Sequence, residues 1–330
     1  MQEYFQAFRI HAEEKFEHAG IETLHINDLS AGDVLIEVHY SSVNYKDALA
    51  GSGQGKILRK SPLNGGIDCA GLVVESEDSA LPIGQQVLVN GCGLSEVHDG
   101  GYSQYVRVPA KWVIVMPEGL DMRTAMIIGT AGFTAALAIQ RLLDNHQRPE
   151  QGPILVTGAT GGVGSFAIRL LSQLGFEVAA MTRQTQAHEY LESLGADHIV
   201  SPDCLSDDGA PMHKGRWSGA IDNLGGQALA ALTKSVKPWG NIVSVGMAAG
   251  TDIKTSTMPF ILRGISVLGV SSANCPQHWR QAIWTKLGAT WHPDNIEMML
   301  ADEIGLEQLP HTFEELLNAN TQGRYLVKII

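Results

Sequence analysis

Basic residues are in short supply: 23 Lys and Arg stand against 35 Asp and Glu, which leaves a net charge of -12 over 330 residues. So acidic a chain opposes nucleic acid and anionic membrane surfaces, neither of which is expected as a partner, and any anionic ligand must find a local basic patch. Long apolar runs are missing too. No stretch reaches the roughly 18 uninterrupted apolar residues of a membrane span, and MQEYFQAFRIHAEEKF lacks the basic-then-apolar order of a secretory leader, so the cytoplasm is the expected location. Cysteine is sparse: Cys69, Cys92, Cys204 and Cys275 lie far apart with no C-x-x-C pair, which points to reduced thiols rather than a disulfide frame or a zinc knuckle. Repeats and low-complexity segments are absent from the sequence.

What is present is a hydrophobic content of 44% with only 18% charged residues, the balance of a well-buried α/β protein, and a length that exceeds one ordinary core. Two domains are expected. The first 120 or so residues alternate strand-like runs (DVLIEVHY, GLVVES, QQVLVN, YVRVP) with turns such as NGG, LPIG and HDGG, a strand-rich and partly barrel-like texture. TAMIIGTAGFTAALAIQRLL then takes helical spacing. After the polar turn HQRPEQG, strands (PILVTG, FEVAAMT, DHIV, GAIDNLG, NIVSVG) alternate with helices (VGSFAIRLLSQLG, QAHEYLESLG, QALAALTKSVKPWG) that glycines close. This is the pattern of βαβ units and of a doubly wound parallel sheet. SVLGV supplies a last strand, and the tail, with helical WRQAIWTKLG and FEELLNAN and a final YLVKII, is expected to return to the first domain.

The stretch PILVTGATGGVG sets a strand, a glycine-rich turn and a helix in succession, as a dinucleotide fingerprint requires. Ala159, Gly161 and Gly164 take its three positions, with Gly162 as an extra. Gly161 lets backbone approach a pyrophosphate, Gly164 lets helix and strand pack closely, and N–H groups at the helix start bind the negative charge. Alanine in the first position is tolerable if Gly158 makes the turn. A P-loop would need Gly-Lys-Ser or Gly-Lys-Thr, whereas Gly164 is followed by Ser165 and Phe166. An NAD site places Asp or Glu about 20 residues on, for the ribose hydroxyl. Here the positions hold Met181, Thr182, Arg183 and Gln184, and a guanidinium would pair with a 2′-phosphate that a carboxylate would repel, so NADPH is the expected cofactor.

With TGATGGVG, NYKD, GTAGFTAALAI and QGRYLVKII, the whole chain resembles the quinone-oxidoreductase-like branch of the medium-chain dehydrogenases/reductases. SSVNYKDAL, GKILR, GIDCAG, HEYLESLGA and MPFILRG narrow the resemblance to the NADPH-dependent acrylyl-CoA reductases. The resemblance implies a GroES-like catalytic domain over 1–124 and 294–330 and an NADP-binding Rossmann domain over 125–293. Zinc alcohol dehydrogenases of that superfamily carry a cysteine where Asn44 stands and Gly-His-Glu where Gly66, Ile67 and Asp68 stand, and they carry a four-cysteine lobe without counterpart here. Catalysis without a metal is therefore expected, and the chemistry open to it is conjugate reduction of an activated double bond: acryloyl-CoA to propanoyl-CoA.

Also by resemblance, cofactor contacts fall on Tyr45, on Thr160, Gly161, Gly162 and Val163, on Thr182, Arg183 and Gln184, on Asn223 and Met247, and on Ile261, Ser272 and Asn318. Tyr45 is the catalytic candidate, with solvent water a rival proton donor. In GKILRK, Lys56, Arg59 and Lys60 follow Lys46 closely, a basic cluster suited to the phosphates of a coenzyme A handle. Asp222 reads as a strand-end strut. Relatives imply a homodimer joined through SVLGV. A quinone or enone reductase of the same fold, and an NADPH-binding redox sensor without turnover, are the alternatives.

Overall fold

The computed structural model describes residues 2–13, 16–206 and 209–330. By packing, the chain divides into two units.

The first unit takes the chain as far as Thr130 and adds Ser272–His292 and Met299–Ile330. Its centre is the strand Val34–Ser42, which pairs antiparallel with Asp68–Ser76, with Tyr105–Val108 and with the C-terminal strand Arg324–Lys328. The sheet runs Leu300–Ile304, Arg324–Lys328, Val34–Ser42, Asp68–Ser76, Gln86–Asn90, Ile114–Val115. Alternation makes it so. Val34, Ile36 and Val38 face one core with Val73, Val87, Val89, Val106 and Val108, while Leu35 faces another with Phe5, Ala7 and Tyr105. Burying each such aliphatic contributes about 1.5–3 kcal/mol, so a one-residue slip would reverse both faces at prohibitive cost. Two strands absent from the sequence reading, Tyr4–Glu13 and Phe16–His25, form an antiparallel hairpin beside Leu63–Asn64. The C-terminal strand thus pairs inside this unit.

The second unit comprises Ala131–Ser271 and Pro293–Met298. Six parallel strands lie in the order His198–Val200, Val178–Met181, Ile154–Val156, Trp217–Asp222, Val236–Ser244, Ser266–Gly269. The helices Gly162–Gln173, His188–Ser193 and Gly226–Ser235 are the crossovers. SVLGV is indeed an edge strand. One helix is shorter than its sequence promised: QALAALTKSVKPWG leaves the helix at Ser235 and becomes the strand Val236–Ser244. Pro238 explains the break, because proline disfavours helical backbone in Lys237 before it, and Trp239 then turns through a left-handed φ of 63°.

The packing boundary also falls elsewhere than 125–293. Residues 272–292 pack in the first unit, where Arg280 and Trp284 of the helix Gln277–Leu287 both bond the Asn90 side chain. Thr130 joins it through a 2.6 Å bond from its hydroxyl to Asp68. The helix Met122–Asp144 breaks at Gly129 (φ 49°). This helix is long and apolar enough to cross a membrane, but 78% of its apolar window is buried inside the protein, as in a core helix.

Candidate functional site

In the second unit, the strand Ile154–Val156 leads into the glycine turn. Gly158 takes the left-handed conformation (φ 58°), so the turn is made one residue before Ala159, as the departure at that position required. Gly161 is extended, and a Cβ there would meet only the Gly158 carbonyl oxygen, at 3.5 Å. At Gly164 a Cβ would lie 2.3 Å from that oxygen, so helix and turn are too close for any side chain. The first turn of Gly162–Gln173 presents N–H groups that have no acceptor within the helix, at the positive end of its dipole. Beside them the Asn223 side chain is fixed by donating 2.7 Å to the Thr157 carbonyl, while its Oδ1 is buried without a hydrogen-bond partner. An open cradle with an unanswered polar atom fits a dinucleotide.

The parallel register brings the other candidates to the same edge. Ala180 and Ile221 both lie opposite Val156, and Asp222 opposite Ser244, so the residues following these strands emerge together: Thr160, Gly161, Gly162 and Val163, then Thr182, Arg183 and Gln184, then Asn223 and Met247. Thr182 Oγ accepts from the Gln184 N–H at 3.0 Å, which shapes the turn, and Arg183 is exposed. Asp222 is the strut across this edge. Its Oδ1 accepts from the Thr157 hydroxyl at 2.6 Å and its Oδ2 from the Gly225 N–H at 2.8 Å, while burial pushes its carboxyl up. Ile261 is not brought to this group: it lies on the exposed helix Met258–Arg263, whose Arg263 bonds the carbonyls of Lys234 and Val236 at the opposite end of the sheet.

The first unit holds Tyr45, Ser272, Asn318 and the basic cluster. Tyr45 opens the helix Tyr45–Gly51 and is 46% exposed, whereas its neighbours Asn44 and Asp47 are buried. Asp47 Oδ2 accepts from both the backbone N–H and the Nδ2 of Asn44, and its Oδ1 accepts from the Ile67 N–H. Asn44 Nδ2 also donates 2.8 Å to Asp68, which accepts in addition from Ser42 and Thr130. Arg324, buried, closes the network with bonds to the carbonyls of Val43 and Ile127 and to Asn44 Oδ1. Burial, and then the neighbouring Asp68, push the Asp47 carboxyl from 3.8 up to about 7. Ser272 lends its carbonyl to Arg280, and Asn318 caps the helix Leu309–Leu317.

These residues do not fit a zinc ion. The Asn44 and Asp68 oxygens already accept from amide, hydroxyl and guanidinium donors, and an arginine cation lies among them in place of cysteine or histidine. Among the described residues no group of three His, Cys, Asp or Glu has the arrangement of a metal site.

The basic cluster divides. Lys46 and Arg59 converge on Glu96, at 2.5 and 3.0 Å, and hold its carboxyl below the usual range, the Lys46 hydrogen bond foremost. Lys56 and Lys60 are exposed outside that trio. Sequence reasoning missed Glu96, Asp47 and Arg324 as site residues. Only the Asn44–Asp47 contact was within reach of it, since these residues stand three apart at a helix start, the spacing of a capping box.

Comparison with known proteins bears on all of this. An alcohol dehydrogenase GroES-like domain matches residues 30–118, and a zinc-binding dehydrogenase domain matches residues 162–287. The chain is 44% identical over 311 residues, 94% of its length and 95% of the relative's, to the "Probable acrylyl-CoA reductase AcuI" of Escherichia coli. It is 39% identical over the whole of both chains to the "Putative quinone oxidoreductase YhfP" of Bacillus subtilis, whose structure with NAD bound superposes with a TM-score of 0.95 over 99% of this chain and 100% of that one. The yhdH oxidoreductase of Salmonella enterica, solved in complex with NADP, gives a TM-score of 0.95 at 42% identity, covering 98% of this chain and 100% of that one.

Proposed function

The chain belongs to the medium-chain dehydrogenase/reductase family, the zinc-binding dehydrogenases with a GroES-like domain, and from that premise we propose that it is an NADPH-dependent reductase of small α,β-unsaturated acyl-CoA thioesters, with acryloyl-CoA as its substrate. The observation that carries the cofactor is the edge of the parallel sheet, where the glycine cradle stands beside Thr182 and Arg183 rather than beside a carboxylate. The substrate rests on the AcuI relative and on the exposed cations Lys56 and Lys60, which lie outside the Lys46–Glu96–Arg59 trio, in an acidic chain.

NADPH, when bound, supplies the hydride that adds to the β-carbon of the activated double bond. Gly161 and the N–H groups of the first helical turn hold its pyrophosphate, and Arg183 with Thr182 holds its 2′-phosphate. Tyr45 supplies the proton taken by the α-carbon. Its backbone is fixed from both sides by the buried Asn44 and Asp47 while its phenol stays exposed, which positions a donor without immobilising it inside the protein. No step uses zinc. Two copies pair through the edge strand Ser266–Gly269, a role supported by the exposed Trp239, Leu262 and Val267.

The test is loss of nicotinamide absorbance with acryloyl-CoA as acceptor. A second reading, quinone reduction, is favoured by the full-length likeness to YhfP and predicts consumption with 1,4-benzoquinone instead.

A further inference from the structure

The first unit contains a cavity of about 610 Å³, inside the 300–1,000 Å³ range of small-ligand sites. Arg59 and three separate stretches wall it, within residues 92–97, 110–113 and 273–281. They are tied before any ligand arrives. The Cys92 N–H donates 3.1 Å to the Ala273 carbonyl, and Arg280 bonds the Asn90 carbonyl at 2.6 Å and those of Ser272 and Ala273 at 2.9 and 3.1 Å. The charged wall residues are Arg59, Lys111, Arg280 and Glu96; Arg280 is buried with its guanidinium on those carbonyls, which leaves Arg59 and Lys111 as the exposed cations of the wall in a chain of net charge -12. Glu96 itself is already answered by Lys46 and Arg59. Trp112, half-buried and braced by His98 with ring centroids 5.0 Å apart, adds an aromatic surface.

Cations around an indole suit a phosphorylated purine nucleoside: the rings stack and the phosphates meet the guanidinium and ammonium groups. Position points the same way, because Glu96 in the wall bonds Lys46, the residue after Tyr45. We propose that this cavity seats the phosphorylated adenosine end of the coenzyme A ester, an assignment that rests on the acyl-CoA reading above. The pantetheine arm then runs past Glu96 and Lys46 toward Tyr45. The cavity acts on affinity and leaves the hydride step alone.

The experiment compares acryloyl-CoA with acryloyl-pantetheine, which carries the same thioester without the nucleotide, using NADPH and the full chain. The CoA ester should be preferred in kcat/KM by at least about tenfold, equivalent to 1.4 kcal/mol, mainly through KM. Lys111→Glu combined with Trp112→Ala should reduce that preference to about twofold. Equal kcat/KM for the two esters on the unaltered protein overturns the cavity assignment and leaves thioester reduction standing. No turnover of either ester overturns the acyl-CoA reading and the assignment with it.

A second readout needs no turnover. Cys92 lines the cavity and is partly exposed, while the partly exposed Cys204 in the other unit serves as the internal control. Desulfo-coenzyme A should slow alkylation of Cys92 relative to Cys204 by about tenfold at saturation, the occupancy effect of a ligand at roughly ten times its Kd. Unchanged alkylation, or equal protection by ATP, overturns the assignment.

Discussion

Replacing Arg324 by methionine keeps the bulk of the side chain and removes its charge, at a buried position that ties residues 43–44 and 127 to the C-terminal strand. Three bonds vanish together: to the Ile127 carbonyl at 3.1 Å, to the Val43 carbonyl at 2.8 Å and to Asn44 Oδ1 at 3.3 Å. The buried Asp68 carboxylate also loses the cation that faces it. Breaking one partner out of a buried charged network costs about 3–5 kcal/mol, because the remaining groups cannot recover water. Against a total of roughly 5–15 kcal/mol this is large, and at about 2–4 °C per kcal/mol it lowers the melting temperature by roughly 10 °C. Differential scanning calorimetry resolves such a shift, and the transition of the first unit should move while that of the second stays. Arg324→Lys should fall between, since one ammonium cannot reach three diverging acceptors. A shift under about 2 °C for Arg324→Met would refute the reasoning, by showing that the carbonyls and Asp68 are satisfied without the guanidinium.

Other expectations follow from the same geometry. Because the folded state holds the Asp47 proton up to about pH 7 and the unfolded chain releases it near 3.8, the folded form binds more protons between those values; stability should fall as pH rises across that window, and Asp47→Asn should flatten that part of the urea-midpoint profile. Arg183→Ala should weaken NADPH roughly tenfold to a hundredfold, the loss of a charge-assisted pair worth about 1.5–3 kcal/mol, with NADH nearly unaffected in a fluorescence titration; equal loss for both nucleotides would contradict its role. Tyr45→Phe should lower kcat about a hundredfold with little change in the KM for NADPH, whereas full turnover would hand the proton to solvent water.

Local chemistry was legible in the sequence and long-range chemistry was not. The turn from Gly158 to Gly164 announces itself because backbone geometry and helix packing permit so few side chains there, and those demands act within seven residues. The crossover helix Gly162–Gln173, closed by Gly175, likewise carries its own punctuation. The end of the helix at Ser235 was readable in principle from Pro238, but the apolar spacing of QALAALTKSV outweighed it. The N-terminal hairpin escaped because its partners share burial unevenly: Phe5, Ala7, Phe8 and Ile10 are all buried, which erases a simple alternation. Nothing near Asn44 indicates that residue 324 closes its network, and nothing in GKILRK indicates that Glu96 pairs with its Arg59 and with Lys46. Such contacts exist only once the sheet has formed, and charge counted along the chain overstates what remains for a ligand.

The central claim is tested most directly by one stoichiometric measurement: NADPH oxidised against propanoyl-CoA formed, with acryloyl-CoA and with 1,4-benzoquinone as alternative acceptors. One propanoyl-CoA per NADPH, with the quinone a poor acceptor, is the predicted result. NADPH consumed only with the quinone, or bound and never consumed, would contradict it.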